Sequence, residues 1–151
     1  MVWFSTGIYI QGPRILFREI ISDRFICSAI EEDFIIDRSL YIAKPKDSEI
    51  NIYNILAILY SKLVIWVFKY SRNEFDDLFP KIRLDEFKKL PIPNKESLSK
   101  SLSVKIKQLM SMYQKNEVNS IVELEKELDL EVYKEFGLYE SDINIIESTY
   151  R

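Results

Sequence analysis

Leu59-Tyr60-Ser61-Lys62-Leu63, Phe79-Pro80-Lys81-Ile82-Arg83 and Leu90-Pro91-Ile92-Pro93 follow one another in this order between positions 59 and 93. The first string lies inside Ile52–Tyr70, where apolar residues fill almost every side, which predicts a helix buried nearly all round. Ser61 predicts a second N-cap that breaks this helix in two. Pro80 cannot sit in a helix interior, so the chain turns extended at Phe79. Asp85 then caps a single turn, Glu86–Leu90, which Pro91 stops. Lys81 and Arg83 alternate with Ile82, so both point away from the side that Ile82 buries.

Upstream, the chain reads as strands. Val2–Ile10 and Arg14–Ile20 flank the turn signal Gln11-Gly12-Pro13, Phe25–Ile30 and Phe34–Ile36 flank Glu31-Glu32-Asp33, and Ser39–Ala43 follows Asp37-Arg38. Alternation in the second strand puts Arg14, Leu16, Arg18 and Ile20 on one face and Ile15 and Phe17 on the other. Apolar residues on both faces predict a strand covered on both sides, with the two arginines near a rim or an edge. Lys44-Pro45-Lys46-Asp47-Ser48 is a loop in which Asp47 or Ser48 is expected to cap the following helix.

Downstream of Pro93 the pattern becomes helical. Leu98, Leu102, Ile106, Leu109, Met110 and Tyr113 recur at steps of three and four, and Ile121, Leu124, Leu128, Val132 and Phe136 form a second stripe. Gly137 stands in the usual place of a left-handed helix end, and Ser141 or a neighbour opens a last short helix. A soft boundary near Asn94–Glu96 divides residues 1–95 from a helical tail, 96–151.

Composition narrows the function classes. The 151 residues are 47% apolar and 30% charged, as in a globular protein, and contain no histidine and one cysteine, Cys27. The commonest general base and metal ligand is therefore missing, and Cys27 reads as a small strand hydrophobe in a reducing, cytoplasmic compartment. No metal site is expected. Lys62 within Ile50–Phe68 argues for a buried core helix over a membrane span. The net charge of −3 is unevenly placed: residues 1–95 hold 14 Lys/Arg against 13 Asp/Glu, and the rest 7 against 11. The front part is thus near neutral and lacks the broad positive field of an autonomous DNA binder.

The three strings, in their order, resemble the TaqI-like C-terminal specificity domain of adenine-specific DNA methyltransferases and of fused type IIG restriction enzymes. The tail adds to the resemblance. Leu128-Asp129-Leu130-Glu131-Val132-Tyr133, Phe136-Gly137-Leu138, Asp142-Ile143 and Ile146-Glu147 are similar to the closing signature of type IIG-like methyltransferases. Two departures are visible. Tyr60 stands where the family usually has Asn, and Tyr139 where it commonly has a Thr helix cap, which shifts the expected start of the last helix toward Ser141.

The resemblance implies an α+β fold: a mixed β-sheet target-recognition domain with packed helices, followed by the helical tail. It implies a non-catalytic DNA-recognition module, the C-terminal fragment of a restriction–modification methyltransferase or endonuclease. No Gly-rich loop follows a strand and no Asn-Pro-Pro-aromatic string occurs, so S-adenosylmethionine is expected in the full-length enzyme and no cofactor in this chain. Glu125-Lys126-Glu127 lies on a predicted helix and does not form a nuclease centre. Expected partners are double-stranded DNA and the catalytic methyltransferase domain of the same polypeptide, with helix-mediated self-association as an option and no membrane.

Candidate DNA-binding residues are Arg14, Arg18, Lys69, Arg72, Lys81 and Arg83, as phosphate or guanine contacts, with Lys44 and Lys46 behind them. Lys81 and Arg83 read equally as a solvated strand face, and Lys69 and Arg72 equally as partners of a helix C-terminus. The alternative function is a protein-interaction module whose helices at 97–115 and 120–136 pair with a partner, as type I specificity-subunit spacers do.

Overall fold

The computed structural model describes residues 2–5, 9–35, 39–46, 49–71, 82–90, 92–93 and 98–150, and the side chains of these except 2–5, 9–10 and 34–35. Its elements run β1 (Val2–Ser5), β2 (Tyr9–Ile10), β3 (Arg14–Ile21), β4 (Phe25–Ile30), β5 (Phe34–Ile35), β6 (Leu40–Pro45), α1 (Ile52–Tyr60), α2 (Lys62–Tyr70), α3 (Leu84–Phe87), α4 (Lys100–Lys115), α5 (Val118–Glu135) and α6 (Glu140–Ser148). The class is α+β. The four-stranded sheet has the order β1-β6-β3-β4, and β2 pairs with β5. Every described pair is antiparallel, where a mixed sheet was expected. The short links between β3 and β4 permit a hairpin, whereas a parallel pair needs a long crossover.

Strand β3 lies inside the sheet, between β6 and β4. Leu16 faces Ser28 on β4 and Ile42 on β6, and Arg18 faces Leu40. Ile15 and Phe17 point the other way, into the main core, where Phe17 stacks on Phe87 with ring centroids 4.2 Å apart. Leu16 and Ile42 form a separate small cluster with Ile30 and Leu40 on the opposite face.

The apolar stretch is broken at Ser61 as its sequence predicts. Ser61 Oγ accepts the Val64 N–H at 3.4 Å and donates to Ile58 O at 2.7 Å, and the two halves bend by 59°. No single described helix is long and apolar enough to cross a membrane. The caps differ in detail from expectation. Asn51, not Asp47 or Ser48, caps α1 by accepting the Tyr53 N–H at 3.0 Å; Asp47 and Ser48 lie outside the described residues. Arg83 rather than Asp85 precedes α3, where Glu86 takes the Arg83 N–H at 3.2 Å. Helix α6 starts at Glu140: Asp142 takes the Tyr139 N–H at 2.9 Å, and the Asp142 N–H, which a Thr hydroxyl would hold, bonds Tyr139 O at 3.0 Å. In both cases a carboxylate three residues into the helix satisfies a backbone donor that the flanking side chain cannot. Gly137 ends α5 at φ +66°, and the Leu138 N–H bonds back to Tyr133 O at 3.0 Å.

A single hydrophobic cluster takes residues from both sides of position 95. Leu102, Ile106 and Leu109 of α4 and Leu128, Val132 and Tyr133 of α5 are buried in it with Ile55, Leu59 and Val64. Each such Leu or Ile contributes about 1.5–3 kcal/mol on burial, so the tail helices share the core of the sheet and α1. The junction is also polar. Arg24, in the β3–β4 turn, donates to both oxygens of Asp129 on α5 at 2.9 and 2.6 Å and to Tyr60 O at 3.1 Å. Asp129 Oδ1 also accepts the Lys62 N–H at 2.9 Å, so a tail carboxylate completes the start of α2.

Candidate nucleic-acid interface

Within the irregular part of β3, between Phe17 and Ile21, the strand is met by the chain at Ile82. Ile82 donates its N–H to Glu19 O at 2.8 Å, and its carbonyl accepts the Tyr41 hydroxyl at 3.0 Å. Ile82 is buried and Arg83 exposed, as their alternation predicts. Arg18, the residue before Glu19, is also exposed, so one backbone bond places the two arginines in neighbouring segments at one end of the sheet. No described residue hydrogen-bonds or ion-pairs either guanidinium. The face of the sheet that carries Arg18 also carries Ser28 and Ile26, and Ile26 is 45% exposed. Unpaired cations beside small polar and apolar side chains form the mixture that phosphates, base edges and thymine methyl groups require.

The other candidates are placed differently. Arg14 begins β3 and is wholly buried, its Nη1 bonded to Gly12 O at 2.8 Å, so it lies neither at a sheet edge nor on the surface. A position at the end of a central strand, beneath the Gln11–Pro13 turn, removes it from solvent. Lys44 bonds Gln11 O at 2.6 Å beside it. Lys69 lies in the helical layer, 5.5 Å from the centre of the Tyr150 ring. Arg72 and Lys81 lie outside the described residues, as do Pro80 and Pro91.

Lys69 borders a hollow of about 500 Å³ with Arg24, Lys62, Lys126 and Tyr150. Three of its cations are already engaged. Arg24 pairs with Asp129, Lys62 Nζ with Glu147 at 2.8 Å, and Lys126 Nζ with Glu123 at 2.8 Å. Burial alone would lower the Arg24 pKa, but the hydrogen bond and charge of Asp129, with Glu125, raise it above its ordinary value. The hollow is therefore a structural ion-pair network more than a positive trough. A second hollow, of about 560 Å³, runs along Ser22–Ser28 to Tyr60, Met110 and Tyr113. There the Tyr60 hydroxyl meets Glu125 and Tyr113, and burial followed by the Glu125 hydrogen bond raises its pKa. The phenol at position 60 thus ties α1 to α4 and α5. Cys27, also on this wall, is partly exposed, and burial pushes its thiol up to about 12. Among the described residues no cluster of His, Cys, Asp and Glu has the shape of a metal site.

Sequence reasoning singled out Asp129 within the tail signature but gave no sign of Arg24, whose isolated position between Asp23 and Phe25 carries no pattern. With this geometry in view, comparison with known families is decisive: residues 3–92 match the TaqI-like C-terminal specificity domain. The chain belongs to that family. A specificity domain is the non-catalytic, DNA-recognising part of restriction–modification enzymes, so DNA target recognition is the function of this region. The match runs from β1 through α3, and α4 to α6 follow it. A search of curated proteins finds no match.

Proposed function

We propose that the chain is the target-recognition portion of a larger, cytoplasmic restriction–modification methyltransferase or endonuclease, and that it reads double-stranded DNA through the sheet end bearing Arg18 and Arg83. Support comes above all from one observation: these two exposed arginines lie in segments joined by the Ile82–Glu19 backbone bond and are unpaired by described residues, while Arg24, Lys62, Lys105 and Lys126 are engaged by acids. Lys81, two positions before Arg83, and Arg72, two positions after Tyr70, extend the candidate set. In this reading the catalytic methyltransferase domain of the same polypeptide supplies most of the phosphate grip and holds S-adenosylmethionine. The near-neutral front part then needs only to discriminate, because phosphate contacts give affinity and base contacts give selectivity.

The test is titration of a labelled duplex pool with the whole chain at low and moderate salt, read by anisotropy. Weak binding with a steep salt dependence supports the reading; no binding at low salt overturns it. The helical-docking alternative draws on Val118 and Val122, one turn apart on α5 and exposed. The main stripes of α4 and α5 are already used inside the chain. Stable self-association in light scattering without DNA would favour that alternative.

A further inference from the structure

The Arg14 side chain is 0% exposed, yet its Nε and Nη2 have no hydrogen-bond partner. Its remaining nitrogen, Nη1, holds Gly12 O, and Lys44 Nζ holds the adjacent Gln11 O. Two cations therefore converge on one surface turn, Gln11-Gly12-Pro13, whose flanking residues Gln11 and Pro13 are exposed. Gly12 adopts φ +79°, so the turn favours glycine, and Asp33 Oδ1 takes the Gly12 N–H at 3.3 Å. No described carboxylate forms an ion pair with Arg14 or Lys44. Carbonyl oxygens accept hydrogen bonds from these groups but bring no compensating charge. Unbonded N–H groups on a buried guanidinium are costly enough to call for a partner. Nε and Nη2 form one edge of the guanidinium, and two parallel N–H groups on such an edge match two oxygens of a phosphate.

We propose that the Gln11–Pro13 turn, with Arg14 and Lys44, is a phosphate site. The Nε–Nη2 edge of Arg14 takes two oxygens; entry requires the turn to move aside and uncover the wholly buried guanidinium, which also frees Lys44 from Gln11 O to take a third. A DNA phosphodiester is one source of the group, and that assignment rests on the recognition reading above; inorganic phosphate presents the same oxygens.

The test uses the whole chain, wild type and with Arg14→Met or Lys44→Met. Both substitutions keep an unbranched apolar stem, and Arg14→Met also removes the unbonded guanidinium, so neither is expected to unfold the protein. Thermal melts in potassium phosphate are compared with melts in potassium chloride at equal ionic strength. A phosphate-specific rise in melting temperature, abolished in both variants, supports the site; a rise of equal size in all three proteins, or none in the wild type, overturns it. Duplex titration then assigns the source. A log–log salt slope reduced by about 1 in each variant identifies a DNA phosphate, whereas an unchanged slope with loss of the phosphate effect identifies a free-phosphate site. If the wild type binds no duplex but keeps the phosphate effect, the recognition reading fails and the site stands. If duplex binding is retained and the phosphate effect is the same in all three proteins, the site fails and the recognition reading stands.

Discussion

Arg24 and Asp129 are 105 residues apart in the chain and are joined by two hydrogen bonds, of 2.9 and 2.6 Å. Asp129 is nearly solvent-free and also receives the Lys62 N–H. The pair therefore fixes the β3–β4 turn and the break between α1 and α2 against the tail.

Removing Asp129 leaves the largely buried Arg24 with only Glu125, 3.6 Å away, and the Tyr60 carbonyl, and breaking such a buried pair costs about 3–5 kcal/mol. Asp129→Ala should lower stability by that amount in urea denaturation, with an unchanged dependence on denaturant. Arg24→Met together with Asp129→Leu should recover part of the loss, because the buried guanidinium that lacks its main partner is gone, while Glu125, 3.6 Å from Arg24, loses its cation and the Lys62 N–H its acceptor. A double variant no more stable than Asp129→Ala would refute this account of the junction.

Acid should act at Glu147. Burial alone would raise its pKa, but hydrogen bonds from Lys62 and Tyr133, with the charges of Lys62 and Arg24, outweigh burial and hold it below the ordinary 4.5. A carboxylate whose folded pKa is depressed contributes stability above its unfolded value and loses it as pH falls through the folded one. Melting temperature should therefore fall below about pH 4.5, and Glu147→Gln should flatten that part of the profile while lowering stability at pH 7. Parallel pH profiles of the two proteins would count against the role of Glu147.

Arg18 and Arg83 are exposed, so replacing either with Ala should leave the melting temperature within the scatter of surface changes, about 0.5 kcal/mol. If they meet phosphates, each substitution lowers the log–log salt slope of duplex binding by about 1 without altering sequence preference. If either meets a guanine edge, it relaxes preference at one base pair by about 1–3 kcal/mol. Unchanged affinity, slope and preference in both variants would remove this end of the sheet from the interface.

Gly137 has no atom within 4 Å of where a Cβ would sit, so only its left-handed backbone opposes substitution. Gly137→Ala should cost about 1–2 kcal/mol in chemical denaturation and Gly137→Asn less, since Asn tolerates that conformation better. Equal losses for the two would point to a packing cause instead.

Features set by neighbouring residues were legible from the chain alone. The break at Ser61, the end of α5 at Gly137, the buried Ile82 beside an exposed Arg83, and the two tail stripes all follow from local geometry and periodicity. The helix starts expected from Asp47 or Ser48, Asp85 and Ser141 fall instead after Asn51, Arg83 and Tyr139, because several nearby side chains compete for the same few N–H groups.

By itself the sequence determined the α+β class and, through three ordered strings, the family. Helix and strand periods and ordered motifs are carried by residues close together in the chain. Tertiary structure alone decided the fates of the cations. Arg14 and Arg18 belong to one face of one strand, yet the first is enclosed beneath a turn and the second is open, and Arg24 is bound to an acid from the far end of the chain. A cation's surroundings are set by elements distant in sequence, and burial and partnership are properties of those surroundings.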